Sequence, residues 1–151
     1  MKSKKITFID LFAGYGGLSV GFIMTGKYDA LAHVEWEIPM VRTLRSRLEK
    51  KWNYTNNDAL KKVLHFDIQK TKELIHGCWG EESVKRFRKT NHKEVQKHGL
   101  RGLVVDLVFG GPPCQAYFIG GRTQDKNSMK NDYRNYLFES FTKIVEEFQP
   151  N

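Results

Sequence analysis

The chain has 151 residues, 40% hydrophobic and 28% charged, which is a one-domain length with globular rather than disordered composition. Its 25 Lys and Arg against 17 acidic residues leave a net charge of +8, which favours a polyanionic partner, nucleic acid before membrane. Two cysteines, Cys78 and Cys114, exclude a disulfide scaffold and a four-cysteine zinc site. No apolar run reaches the roughly 18–20 residues of a membrane span. The start, Met1-Lys-Ser-Lys-Lys5, lacks the long apolar stretch of a secretory signal, so an intracellular location is expected, cytoplasmic if the source is bacterial.

In chain order, Ile6 to Phe12 is β-branched and aromatic and stops at a glycine cluster, which predicts a buried strand and a tight turn. From Gly17, the pattern Leu18, Val20, Phe22, Ile23 predicts a short helix closed by Gly26. A second strand is expected from about Ala30 to Trp36. After Pro39 comes a helix with Met40, Val41, Leu44 and Leu48 on one face and Arg42, Arg45, Arg47 and Lys50 on the other. Val63 to Ile68 forms a third strand and Leu103 to Phe109 a fourth, and a last helix is expected from about Asp132 to Phe148. Strands alternating with helices, and apolar rather than alternating strands, predict an α/β fold: a parallel sheet with crossover helices, covered on both faces. Ligands of such sheets bind beyond the carboxyl ends of the strands.

Three features lie at those ends. Asp10-Leu-Phe-Ala-Gly14-Tyr-Gly16-Gly17 takes the first strand into a helix, and its glycines permit positive φ and close approach of a ligand, although a purely structural turn is an equal reading. Glu35 ends the next strand 21 residues after Gly14, the offset at which dinucleotide-type folds place a carboxylate on ribose hydroxyls. Trp36 can stack on adenine, and Asp67 can accept from an exocyclic amine. Taken singly, each is more often a solvated strand end or a cap; in succession they favour a nucleoside-containing cofactor. Without a spaced phosphate fingerprint, S-adenosylmethionine fits better than NAD. The third feature is Gly110-Gly-Pro-Pro-Cys114-Gln115. Two prolines stiffen this loop, and a cysteine flanked by prolines and glycines is better placed as a nucleophile than as core. Cys78 is expected to be a buried small hydrophobe.

These residues resemble the N-terminal half of a DNA (cytosine-5)-methyltransferase. The match runs through Asp10 to Gly17, Glu35-Trp36, Phe66-Asp67-Ile68, Gly110 to Gln115, Gly121-Arg122 and Asp132-Tyr-Arg134-Asn135, and omits about 69–102. The resemblance implies a Rossmann-like S-adenosylmethionine-dependent methyltransferase fold with an incomplete parallel sheet. It implies that the turn of Asp10, Phe12, Ala13, Gly14, Gly16 and Gly17 cradles the methionine part of the cofactor. It also implies that Glu35 holds the ribose, Trp36 packs on adenine, Asp67 reads its amino group, and Ile68 and Pro112 complete the pocket. Cys114 would attack C6 of a cytosine flipped out of double-stranded DNA, so that C5 can take the methyl group. Pro113 and Gln115 stand on the substrate side. Arg122 and Arg134 hold the loop or contact phosphate, or else are solvated surface residues. The family pattern Cys-Gln-x-aromatic-Ser is broken here, where Phe118 replaces the small hydroxyl residue.

Between Lys85 and Arg101 stand seven Lys or Arg and one Glu, a net +6. This basic insertion, at about 69–102, is either a phosphate-facing helix or loop or a solvated helix face. His92 and His98 lack partner cysteines at metal-ligand spacing, so no metal site is expected. The family's Glu-Asn-Val strand, Gln-x-Arg-x-Arg segment and target-recognition region do not follow within the sequence. Residues 1–151 are therefore expected to be one part of a catalytic domain that is inactive alone, complemented by a C-terminal half-chain or the remainder of a longer protein. Two alternatives stay open: a non-catalytic cofactor- or DNA-binding remnant, and methylation of cytosine in tRNA.

Overall fold

The computed structural model describes residues 4–113 and 136–150. Its elements in chain order are β1 (Ile6–Leu11), α1 (Gly17–Met24), β2 (Tyr28–Glu35), α2 (Ile38–Trp52), α3 (Asn56–Lys62) and β3 (Val63–His65). They continue with α4 (Thr71–His76), α5 (Glu81–Phe87), a 3-10 turn (Arg88–Thr90), α6 (Lys93–His98), β4 (Leu107–Gly110) and α7 (Leu137–Phe148). The four strands form one parallel sheet in the order β3-β2-β1-β4. The chain winds outward from β1 to β3 and then returns to the other side of β1. The crevice of this α/β sheet therefore opens between the carboxyl ends of β1 and β4.

Side-chain alternation along β1 divides the core. Ile9 and Leu11 face one side, where Ala32, Val34 and Leu64 join Leu74, Phe87, Val95 and Ile144 of the covering helices. Phe8 faces the other side and packs on Phe22 of α1 and Phe109 of β4, with ring centroids 6.0 and 5.0 Å away. Val41, Leu44 and Leu48 of α2 close that side with Ala13 and Val63. Both faces of the sheet are covered, which is why β1 is apolar without a break. The pairing of β1 with β2 shifts between Phe8 and Ile9, so Leu31 is an extra residue in β2.

Three departures from the expected elements have local causes. β4 starts at Leu107 rather than Leu103: at Asp106 the carboxylate, in place of a backbone carbonyl, accepts from Thr7 N and from Thr7 Oγ1, both at 2.8 Å, while Asp106 N donates to Thr7 O at 3.2 Å. β3 ends at His65, after which Phe66 N still donates to Glu35 O at 3.0 Å. Cys78 is exposed rather than buried. The backbone turns through positive φ at Gly77 (71°) and Cys78 (56°), and Trp79, 7% exposed, takes the inward position. Residues 132–135 of the expected last helix lie outside the described residues.

Segment 69–102 folds as α4, α5, the 3-10 turn and α6, with Leu74, Ile75, Trp79, Phe87, Val95 and Leu100 in the main core cluster. Lys85, Arg86, Arg88, Lys89, Lys93, Lys97 and Arg101 lie outside that core. Among the described residues no helix is long and apolar enough to cross a membrane.

Candidate functional site

A cavity of about 510 Å³ opens at the carboxyl ends of the strands. Its wall takes Phe12 and Gly14 from the turn after β1, Val34 to Glu37 from the end of β2, and Met40 from α2. Phe66 to Gln69 follow β3, Gly111 and Pro113 follow β4, and Leu137 comes from α7. Volume, concavity and apolar walls with a few fixed polar groups are those of a small-molecule site.

Glu35 is a tightly held polar group in that wall. It is 8% exposed; its Oε2 accepts from Gly14 N at 2.7 Å, and its Oε1 accepts from Trp36 N at 2.7 Å and Glu37 N at 2.8 Å. Three amide donors fix both oxygens in place, and an ionised carboxylate has about four acceptor positions, so capacity for a ligand donor remains. The bond to Gly14 also ties the β1 turn to the end of β2. That turn is unusual at Phe12, a bulky residue with φ of 62°, a conformation that costs roughly 1–3 kcal/mol and collects at ligand sites.

Asp67 is partly exposed and forms an Asx turn, its Oδ1 accepting from Gln69 N at 3.0 Å. Trp36 lines the cavity, with the Arg86 guanidinium 3.9 Å from its ring centroid and the Phe87 ring edge-on at 6.0 Å. Ile68 is 5% exposed and contributes wall.

The other residues expected to bind cofactor do not line the cavity. Asp10 alternates onto the α1 side of the sheet, where it is 2% exposed. Its Oδ2 lies 3.8 Å from His33 Nδ1, beyond hydrogen-bond distance. Ala13 packs against α2 and donates its N–H to Val34 O. Gly16 has φ of 78°, and a Cβ there would collide with Leu44 Cδ1, so it is required by the approach of α2. Gly17 is exposed and opens α1, and Pro112 sits between two lining residues without lining the cavity itself. Pro113, expected on the substrate side, does line it. Cys114, Gln115, Phe118, Arg122 and Arg134 lie outside the described residues.

Arg86 was hidden in sequence as one charge in a basic run, with no signal linking it to Trp36. Phe66 and Gln69 flank the expected Asp67-Ile68 pair, and their place at the end of β3 was the available signal. Behind the wall, Arg45 donates from Nε and Nη2 to Val63 O, and burial lowers its pKa to about 10 against the opposing pull of Glu49.

The sequence profile described as C-5 cytosine-specific DNA methylase matches residues 6–79 and 81–151. The chain is 34% identical to the type II methyltransferase M.Bpa9945I of Bacillus paralicheniformis, over 94% of this chain and 38% of that protein. It is 30% identical to the type II methyltransferase M1.HphI of Haemophilus parahaemolyticus, over 96% of this chain and 30% of that protein. A solved structure described as a DNA modification methyltransferase encoded within a prophage (E. coli) superposes with a TM-score of 0.53 at 25% identity, covering 97% of this chain and 30% of that one. The chain thus spans between a quarter and two-fifths of the length of these relatives. With a profile match across nearly its whole length, the chain belongs to the C-5 cytosine-specific DNA methylase family.

Proposed function

We propose that this chain forms the S-adenosylmethionine pocket and carries the cysteine nucleophile of an enzyme that methylates C5 of cytosine in DNA. The observation that carries the reading is Glu35, a carboxylate fixed by three amide donors in the wall of a cavity sized for a nucleoside-containing ligand. The polar and aromatic groups fit the cofactor: Glu35 accepts from a ribose hydroxyl, Asp67 from the adenine amine, and Trp36 offers an aromatic surface. The Phe12–Gly14 turn receives the methionine portion. Asp10, Ala13, Gly16 and Gly17 act on this pocket through the shape of the turn. When bound, S-adenosylmethionine supplies an electrophilic methyl group.

Cys114 follows Pro113 of the cavity wall in sequence. Its thiolate adds to C6 of the cytosine ring, forming a C–S bond and pushing electron density onto C5, which becomes nucleophilic. After methylation, loss of the C5 proton returns the electron pair to the C5–C6 bond and expels the thiolate. Cytosine C6 is shielded inside a base stack, so the substrate is a flipped cytosine of double-stranded DNA. Pro113 and Gln115 stand beside the nucleophile, and Arg122 and Arg134 serve the loop or the phosphates. Work on DNA places the enzyme inside the cell.

Calorimetry with S-adenosylhomocysteine tests the pocket. The chain is expected to bind it, and Glu35→Ala to weaken binding about tenfold or more, since hydrogen bonds to a charged group contribute roughly 1.5–3 kcal/mol. Glu35→Gln sets its NH2 against at least one of the three amide donors, so it is expected to weaken binding as well, and circular dichroism separates that loss from misfolding. Absence of binding to the wild type, or equal affinities in folded variants, sinks the assignment.

A further inference from the structure

We propose that Lys85, Arg88 and Lys89 form a docking surface for the sugar–phosphate backbone of duplex DNA beside the cavity. This deepens the function proposed above and rests on it for the choice of DNA. The three residues follow i, i+3, i+4 spacing along α5 and the 3-10 turn, so they share one side, while Ser83 and Phe87 of the same segment are fully buried. All three are exposed, and among the described residues none has a carboxylate within ion-pair distance. Of the two acids of the same helix, Glu82 is paired with Lys70 at 2.7 Å, and Glu81, one turn before Lys85, lies beyond ion-pair distance of all three.

Position gives the charge its meaning. Arg86, on the flank of α5 next to that row, lies 3.9 Å from the Trp36 ring centroid, which fixes α5 against the cavity wall. Phe87 anchors the platform through Trp36, His65, Phe66 and Trp79. A duplex that presents one flipped base at the mouth of the cavity, beside the bound cofactor, lays its backbone over the carboxyl ends of the strands. Exposed cations on a helix packed against the cavity wall meet that backbone without first breaking an ion pair, and counterion release makes the interaction salt-dependent.

The test is fluorescence anisotropy of the chain with a labelled duplex of arbitrary sequence, at about 50 to 200 mM salt. The Lys85→Ala/Arg88→Ala/Lys89→Ala variant is expected to bind about tenfold more weakly, with the log–log salt slope reduced by about 3, near 0.9 for each phosphate no longer neutralised. A Lys4→Ala/Lys50→Ala/Lys61→Ala variant removes equal charge elsewhere; Lys4 and Lys61 precede β1 and β3 at the far end of the strands. It is expected to keep most of the affinity. Equal loss in both variants, no loss in the first, no binding of wild type to DNA, or tighter binding to an RNA duplex overturns the proposal. S-adenosylhomocysteine titration of the first variant is expected to match wild type. That titration reports separately on the cofactor reading, because it fails for wild type if the cavity assignment is wrong, whatever the DNA result.

Discussion

The guanidinium of Arg86 lies 3.9 Å from the centroid of the Trp36 ring, so a residue fifty positions further along the chain covers part of the aromatic wall of the cavity. The basic segment is thereby joined to the site: Arg86 is on α5, Trp36 follows β2, and Phe87 packs against the same indole.

Replacing Arg86 tests that join. A cation–π interaction of this kind contributes about 0.5–2 kcal/mol, depending on how far it is desolvated. Arg86→Ala is expected to weaken S-adenosylhomocysteine binding about 3- to 30-fold, and Arg86→Lys to recover part of it, because charge persists without the planar stack. Calorimetry provides the affinities. Unchanged affinity in Arg86→Ala would show that Trp36 holds its position without the guanidinium.

The two glycines of the turn predict different costs. Gly14 (φ 55°) has open space around a built Cβ, so Gly14→Ala meets only the left-handed backbone penalty of roughly 1–2 kcal/mol. Gly16 (φ 78°) adds a collision with Leu44, itself 0% exposed, and overpacking costs a further roughly 1–3 kcal/mol. Urea denaturation is expected to rank Gly16→Ala as clearly the less stable of the two.

Burial holds the His65 imidazole below its ordinary 6.5, with Arg45 and Arg86 pushing the same way against the backbone of Trp36. The unfolded chain therefore takes the proton more readily than the folded one. The stability that His65 contributes is complete above 6.5 and is lost as pH falls from there through its depressed folded value. Denaturation midpoints of wild type are expected to fall over that window. His65→Gln, which retains a polar partner for Thr90 Oγ1, is expected to flatten the fall.

Phe87 tests whether the basic segment belongs to the core. The side chain is 0% exposed and packs on the rings of Phe66 and Trp36, both in the cavity wall. Phe87→Ala is expected to cost about 3–5 kcal/mol, the range for deleting a buried aromatic ring. Thermal melts check the loss, and a near-neutral result would mean that α5 is peripheral.

Elements with sustained local patterns were legible. The apolar run of β1, the amphipathic period of α2 and the glycine stop after α1 all follow from neighbouring residues. α3 is not among the expected elements, although its start carries a signal: Thr55 Oγ1 accepts from Asp58 N at 3.1 Å, a cap readable as Thr-x-x-Asp. The interior residues of segment 69–102 were masked by charge. Leu74, Trp79, Phe87 and Val95 are spread over short helices and the turns between them, and no helical period survives such breaks. The start of β4 differs from its expected place because Asp106 bonds to Thr7, ninety-nine residues away.

For the site, the sequence alone set the candidate groups and their order along the chain: a glycine turn after the first strand, carboxylates at the ends of the second and third, and a Pro-Pro-Cys run after the fourth. These depend on residue type and local spacing. The tertiary structure decided which members of the turn face the cavity. Phe12 and Gly14 line it, while Asp10, Ala13 and Gly16 turn to the α1 and α2 side of the sheet, because strand alternation and the seat of α2 on Leu44 set their directions. It also decided that three backbone amides converge on Glu35 and that Arg86 reaches Trp36. Both depend on contacts between segments far apart in the chain, whose geometry exists only once the sheet has paired and the helices have packed on it.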